Sequence, residues 1–217
     1  MIANFRLIKS YISRSRKLGK LKQCEFEGWW KKYGLNTELE LKQFLQKAKK
    51  ASVEIGFGDG ANLLELAKAS PQECFVGIET YQPGIAKLLE LLAKNSLANV
   101  KVFRGDAKIV FDGCIDPASL DTVWILFPDP WPKRKHHKRR LIQNEFVSKL
   151  YEVLKVGGRL IIATDWEDYA RQLERVLDNS DFKRMVFGEL SKRLIVTKFE
   201  TQGLKEHRQV YEFNYIK

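Results

Sequence analysis

Cysteine is scarce in this chain and scattered. Cys24, Cys74 and Cys114 form no Cys-x-x-Cys pair, which argues against a zinc site or a disulfide framework and fits a reducing compartment. Histidine is as sparse: His136 and His137 sit inside a basic run and His207 precedes the last apolar stretch. That spacing fits no metal motif, so no metal is expected. No apolar run is long enough to span a bilayer and no secretory signal is visible, so the expected location is cytoplasmic, away from membrane. Internal repeats and low-complexity linkers are missing too. Acidic residues are absent as far as Cys24. A stretch rich in Ser, Arg and Lys without acids suits either an organellar transit peptide or an RNA-contacting arm, and the arm is the expected reading.

What is present is positive charge. The net charge is +11 over 217 residues, and residues 1–50 hold 13 Lys/Arg against 4 Asp/Glu. The 44% hydrophobic and 30% charged content is ordinary for a globular protein. A basic arm therefore stands out, and it points to a polyanionic partner, nucleic acid before anionic membrane. Residues 1 to about 23 have little periodicity. Phe26, Trp29, Trp30 and Tyr33 fall on one helical face, expected to dock on the main body in preference to stacking on bases. Glu38 to Lys50 is a second amphipathic segment, with Leu39, Leu41, Phe44, Leu45 and Ala48 as its expected buried positions.

From Ala51 the pattern alternates. Val53-Glu54-Ile55 reads as a strand, Gly56-Phe57-Gly58-Asp59-Gly60 as a turn and Ala61 to Ala69 as a helix. Cys74 to Glu79 and Pro83 to Asn95 repeat strand and helix, and Val100 to Phe103 is a third strand closing on Gly105-Asp106-Ala107. Leu120 to Leu126, β-branched and aromatic, is the fourth. Leu141 to Leu154 is expected as a helix stopped by Gly157-Gly158, Arg159 to Thr164 as a fifth strand ending on Asp165, and Trp166 to Leu177 as a helix. Such alternation means an α/β fold, a doubly wound and mostly parallel sheet with right-handed crossovers. Phe182 to Phe187 and Val210 to Ile216 look like a C-terminal antiparallel hairpin. Between them Thr197 and Glu200 have capping-box spacing for a short helix.

Acids recur at the carboxyl ends of these strands, where open α/β sheets bind ligands. Asp59, Glu79, Asp106, Asp129 and Asp165 each follow a strand. Gly56-x-Gly58-x-x-Ala61 also satisfies a dinucleotide fingerprint, with Glu79 at the interval of a ribose-binding acid. That pattern fits both a nicotinamide dehydrogenase and an S-adenosylmethionine enzyme. Three features favour the second. Glu54 would repel pyrophosphate but attract a cationic methionyl group, Asp106-Ala107 sits where adenine is commonly contacted, and no His or Tyr is positioned for hydride transfer. The glycines then allow close backbone approach.

The most informative stretch is Phe127-Pro128-Asp129-Pro130-Trp131-Pro132-Lys133, which runs into Arg134-Lys135-His136-His137-Lys138-Arg139-Arg140. Pro128 is expected to bias Phe127 toward an extended conformation, and the two prolines stiffen the loop that carries Asp129. Six of the eight residues from Lys133 to Arg140 are Lys or Arg. A run of this kind is as often a solvated surface as a polyanion contact; beside a stiffened carboxylate and a flat aromatic it reads as a site. Trp131 suits base stacking and core packing equally.

This string resembles the signature of the bacterial tRNA (guanine-N7-)-methyltransferases, which place F-P-D-P-W-P-K before a stretch rich in His, Lys and Arg. The likeness runs from about Ala51 to the end and covers the arm only loosely. It implies a class I methyltransferase fold of Rossmann-like type, with a basic N-terminal arm and helices over residues 1–50 and a methyltransferase domain over 51–217. It also implies transfer of a methyl group from S-adenosyl-L-methionine to N7 of a guanine in the tRNA variable loop. The family's cofactor positions match Glu54, Glu79, Asp106 and Asp129, beside Gly56, Gly58 and Ala107, and Asp129 is the expected catalytic residue. Its substrate positions match Lys133, Asp165 and Thr197-Lys198-Phe199-Glu200. Arg134, Lys135, Lys138, Arg139 and Arg140 are expected to contact tRNA, and the protein to be a monomer or homodimer. Two departures stand out: Gln202 occupies a position that is often basic in the family, and the spacing around Lys17 to Gln23 is shifted. The competing expectations are methylation of another RNA base or of protein, and an RNA-binding module without chemistry. The row of acids speaks against the last.

Overall fold

The computed structural model describes residues 10–11, 20–185 and 198–217, with the backbone alone described for 20–22 and 198–199. Eight strands form one sheet: β1 (Gly34–Leu35), β2 (Ala51–Ile55), β3 (Cys74–Glu79), β4 (Val100–Arg104), β5 (Leu120–Leu126), β6 (Leu154–Thr164), β7 (Lys183–Arg184) and β8 (Tyr211–Ile216). Their order is β1-β4-β3-β2-β5-β6-β8-β7. The pairs from β1 to β6 are parallel, whereas β8 runs antiparallel to both β6 and β7. The helices are α1 (Lys20–Tyr33), α2 (Glu38–Gln46), α3 (Ala61–Ala69), α4 (Gln82–Lys94), α5 (Ala107–Gly113), α6 (Asn144–Val153), α7 (Glu167–Asp178) and α8 (Lys198–Lys205).

Side-chain alternation sorts the strands into two cores, one on each face of the sheet. Val123 and Ile125 of β5 and Leu160 and Ile162 of β6 join Phe146, Leu150 and Leu173 from α6 and α7. Trp124, Leu126, Ile161 and Ala163, the intervening residues, join Leu63, Ile85 and Leu88 from α3 and α4. Phe26 and Tyr33 of α1 belong to that second core, and the Tyr33 hydroxyl donates to the Leu92 carbonyl at 3.2 Å. The aromatic face of α1 therefore docks on the domain. With β1 paired to β4, Gly34–Leu35 join the same sheet as the strands after residue 51.

Several local expectations give way. Leu39 is exposed while Leu41 and Leu45 are buried, because α2 turns only one narrow stripe inward. The helix expected over Leu141 to Leu154 begins at Asn144. Gly157-Gly158 does not stop it; the pair lies inside β6, with Gly157 at φ 79°. The Gly157 N–H donates to the Lys217 carbonyl and the Lys217 N–H to the Gly158 carbonyl, so the chain's last residue carries the strand through the irregularity. Helix α5 and strand β1 were not expected at all. The hairpin is present as β8 beside Lys183–Arg184, and the expected strand residues 186–187 lie outside the described part.

The topology places the site. Strands β2, β3 and β4 step outward in one direction, and β5 then returns to the other side of β2. The crossovers leave β2 in opposite directions at this switch point, which opens a crevice at the carboxyl ends of the central strands.

Candidate active site

A cavity of about 600 Å³ occupies that crevice. Glu54, Glu79 and Asp129 all reach its wall, one from each of the loops or ends of β2, β3 and β5. The glycine turn forms its floor. Gly56 takes a φ of 69°, and a Cβ built there would meet no atom within 4 Å, so the side left bare by glycine faces open space. Gly84, at the start of α4, is glycine for a different reason: a Cβ there would lie 2.1 Å from the Gly58 carbonyl oxygen. The turn and the helix can approach this closely only because Gly84 carries no side chain.

Glu79 ties the two loops together. Its Oε1 accepts from the Thr80 and Tyr81 amides at 2.6 and 2.9 Å, and its Oε2 from the Gly58 amide at 3.2 Å. Glu54 is more isolated. It is 2% exposed, and its Oε2 accepts from Asn62 Nδ2 at 3.1 Å. Burial raises its pKa to about 8, the Asn62 hydrogen bond works against that rise, and the neighbouring charges of Asp59 and Glu79 add to it. The other end of the Asn62 amide, Oδ1, is buried with no hydrogen-bond partner among the described residues. Asn62 lies on the first turn of α3 and lines the cavity. It was missed from sequence, although it is the first polar residue after the glycine turn.

Asp106 and Asp165 stand back from the wall. Asp106 caps α5, its Oδ1 accepting from the Lys108 amide at 3.0 Å, while its neighbours Gly105 and Ala107 line the cavity. Asp165 accepts from Arg208 Nε at 2.7 Å and abuts Gly203, where a Cβ would come within 2.6 Å of its Oδ2. It thus fixes α8 against the end of β6. Glu200 is buried on α8, and Gln202 of the same helix reaches the cavity wall. Thr197 lies outside the described residues, as do the side chains of Lys198 and Phe199. Ser10 and Tyr11 complete the wall from the N-terminal side, a contribution that nothing local in the sequence announced.

The loop after β5 is held in a strained form. Phe127 is not extended: its φ is 52°, and Trp131 has a φ of 47°. Left-handed backbone at two bulky residues is unusual. Phe127 is placed so by its amide, which donates to the Ala163 carbonyl at 2.8 Å and carries the β5–β6 pairing one residue past the strand. The Trp131 indole is 8% exposed, and its Nε1 donates to the Ser10 carbonyl at 3.1 Å. It is packed beneath the N-terminal segment, with the Arg139 guanidinium 4.9 Å from its ring centroid.

Residues Arg134–Arg139 form a 3₁₀ helix, which the sequence had presented only as a charge run. Lys133, Arg134, Lys135 and Lys138 are exposed on it and Arg139 is half-buried against Trp131. Arg140 is different. It is 1% exposed, and Nη1 donates to Gln172 while Nη2 pairs with Asp168. The expectation that Arg140 contacts RNA fails because its guanidinium is already enclosed and hydrogen-bonded within the protein. Half-burial and the cations of Arg139, Lys135, Lys133 and Lys138 lower the pKa of His136.

A putative methyltransferase family model matches residues 48–213. A tRNA (guanine-N(7)-)-methyltransferase of Nitrosococcus oceani is 39% identical over 97% of this chain and 91% of the relative. The chain belongs to the tRNA (guanine-N(7)-)-methyltransferase family. A second member, from Chromobacterium violaceum, is 38% identical over 95% of this chain and 94% of its own length. Solved structures add the fold: the 16S rRNA methyltransferase KamB superposes with a TM-score of 0.62 at 15% identity, covering 84% of this chain and 94% of that one. An S-adenosylmethionine-dependent methyltransferase from Aquifex aeolicus gives 0.53, also at 15% identity, over 91% and 96%. This is a class I methyltransferase sheet, with the antiparallel strands at its C-terminal edge. Among the described residues of this methyltransferase no helix is long and apolar enough to cross a membrane, and no cluster of His, Cys, Asp or Glu could hold a metal ion.

Proposed function

We infer that this methyltransferase transfers a methyl group from S-adenosyl-L-methionine to N7 of a guanine in the variable loop of tRNA. One observation carries the reading. Asp129 lines the same cavity as Glu54 and Glu79, and the exposed cations of the 3₁₀ helix begin a few residues beyond it. The family relatives at 38–39% identity support the same substrate class.

The residues present fit the cofactor. The unpartnered Oδ1 of Asn62 and the buried carboxylate of Glu54 form an acceptor pair suited to an alkylammonium group. The bare side of Gly56 admits a nucleoside close to the backbone. Glu79 is placed to accept from ribose hydroxyls: Oε1 is engaged by the Thr80 amide and hydroxyl and the Tyr81 amide, while Oε2 takes only the Gly58 amide and keeps acceptor capacity. When bound, S-adenosylmethionine supplies a methyl group made electrophilic by its sulfonium.

The chain's own part is placement and charge. Guanine N7 carries a free lone pair and no proton, so the site needs no general base. The cavity holds the base at near-attack distance, and base and cofactor together displace water from it. As the purine becomes cationic, a fixed carboxylate beside it is stabilising in a site of low dielectric, and Asp129 takes that role. Lys133 and the exposed cations beyond it hold phosphates, and Asp165 acts on this face through Arg208 and α8. Incubation with unmodified tRNA and methyl-labelled S-adenosylmethionine, followed by nucleoside analysis, tests the reading. Label is expected in 7-methylguanosine from the variable loop; label in another nucleoside or at another guanine would overturn it.

A further inference from the structure

The basic residue of the 133–140 run that the protein encloses, Arg140, also hydrogen-bonds to the active-site loop. Arg140 Nε donates to the Pro130 carbonyl at 2.8 Å, the residue after Asp129. Its other donors go away from the cavity: Nη1 to Gln172 Oε1 at 2.7 Å, Nη2 to Asp168 Oδ2 at 2.5 Å and toward His137 Nε2 at 3.1 Å. The guanidinium lies 4.8 Å from the centroid of the buried Tyr169 ring, whose hydroxyl accepts from the Ile142 amide. Every contact to α7 is thus a fixed point on a helix packed in the core.

We propose that Arg140 is a positioning residue for Asp129, clamping the Pro128-Asp129-Pro130 turn to α7 so that the carboxylate is presented to the cavity. The turn needs such a clamp. It is bracketed by left-handed backbone at Phe127 and Trp131, and conformations that sparse persist only where the surroundings over-determine them. Prolines remove two of the three amides of this turn, which leaves its carbonyls with a larger share of the pinning. The Ala163 bond holds the Phe127 end and the indole bond to Ser10 holds the Trp131 end. Arg140 holds the middle. A planar fork with several donors serves both the carbonyl and the α7 acceptors at once, which a lysine could not do.

The proposal rests on the catalytic reading of Asp129, and a four-way comparison separates the two. Single-turnover methyl transfer is measured at saturating tRNA for wild type, Arg140→Met, Asp129→Asn and the double variant, with cofactor affinity and the salt slope of tRNA binding alongside. Arg140→Met is expected to slow transfer at least tenfold, to leave cofactor affinity within about twofold and to leave the salt slope unchanged. On the Asp129→Asn background it should add little, because the clamp acts through the carboxylate already removed. Arg140→Lys should recover part of the rate. Equal losses on both backgrounds, a wild-type rate, or a slope flattened by one phosphate contact would each overturn the clamp. Normal transfer by Asp129→Asn would instead overturn the catalytic reading. Should Arg140→Met not fold, Asp168→Asn replaces it: Asp168 itself is 60% exposed, and a smaller loss with the same non-additivity is expected. Additive behaviour or no loss there overturns the proposal.

Discussion

Glu54 carries the clearest pH signature of any residue in the site. Its folded pKa of about 8 lies above the ordinary carboxylate value of 4.5, so between those limits the folded chain holds a proton that the unfolded chain has released. Stability of the unliganded protein should therefore decline as pH rises from about 4.5 to about 8, where Glu54 alone is concerned. Above that the contribution is flat. Glu54→Gln should remove this part of the decline, seen as a flatter profile of Tm against pH. A cation that ionises Glu54 on binding would release a proton, so S-adenosylmethionine affinity should rise with pH toward 8, a dependence the Gln variant should lack. Titration calorimetry in two buffers of different ionisation enthalpy would read that proton directly. Asp129 behaves otherwise. Asp129→Ala is expected to lower single-turnover transfer by roughly 10²-fold with the fold intact, and Asp129→Asn to recover little, if charge is what stabilises the purine. Glu79→Ala should weaken cofactor binding by roughly 1–3 kcal/mol, the penalty of leaving donors without their acceptor. Unchanged affinity in a folded variant would remove Glu79 from the site.

The 3₁₀ helix after the Asp129 loop makes the tRNA prediction specific. Arg134, Lys135 and Lys138 project into solvent from it, Arg139 lies against Trp131, and Arg140 is enclosed. The first three, like the exposed Lys133 before them, are available to release counterions from phosphate. Their triple replacement by Ala should flatten the slope of log affinity against log salt by up to about 3 units, each contact contributing roughly 0.7–0.9. Cofactor affinity should not change. An unaltered slope would leave the helix as plain surface and pass RNA binding to the N-terminal arm. Helix α8 makes a similar point at the other side of the cavity. Gln202, noted in the sequence only as a departure from family habit, sits on the cavity wall because Asp165 and Gly203 bring α8 against the end of β6.

The molecule as a whole is held by two apolar layers on one sheet, so its stability and its chemistry are separable. Leu150 of α6 is fully buried in the core and does not line the cavity. Leu150→Ala should cost about 2–5 kcal/mol of stability, visible as a lower midpoint in denaturant. The salt slope for tRNA should stay where it is, since that depends on the number of phosphate contacts alone. A variant that lost both together would show that the basic face depends on global packing.

The sequence by itself determined the parallel core of the fold. Periodicity and glycine turns located the strands that became β2 to β5 and the helices that became α3 and α4, because those signals are local and short in range. It also determined the acids at strand ends, since strand and turn together dictate where a carboxylate emerges. Tertiary structure decided the rest. Two left-handed residues displaced the extended loop that proline chemistry had suggested, because the β5–β6 pairing reaches past the strand to Phe127. Ser10 and Tyr11 joined a cavity built more than forty residues later in the chain. Arg140 turned from the exposed basic run into the protein. Charge is a property of the residue, but whether that charge faces phosphate or a buried carbonyl depends on partners thirty residues away, Asp168 and Gln172, that only folding brings alongside.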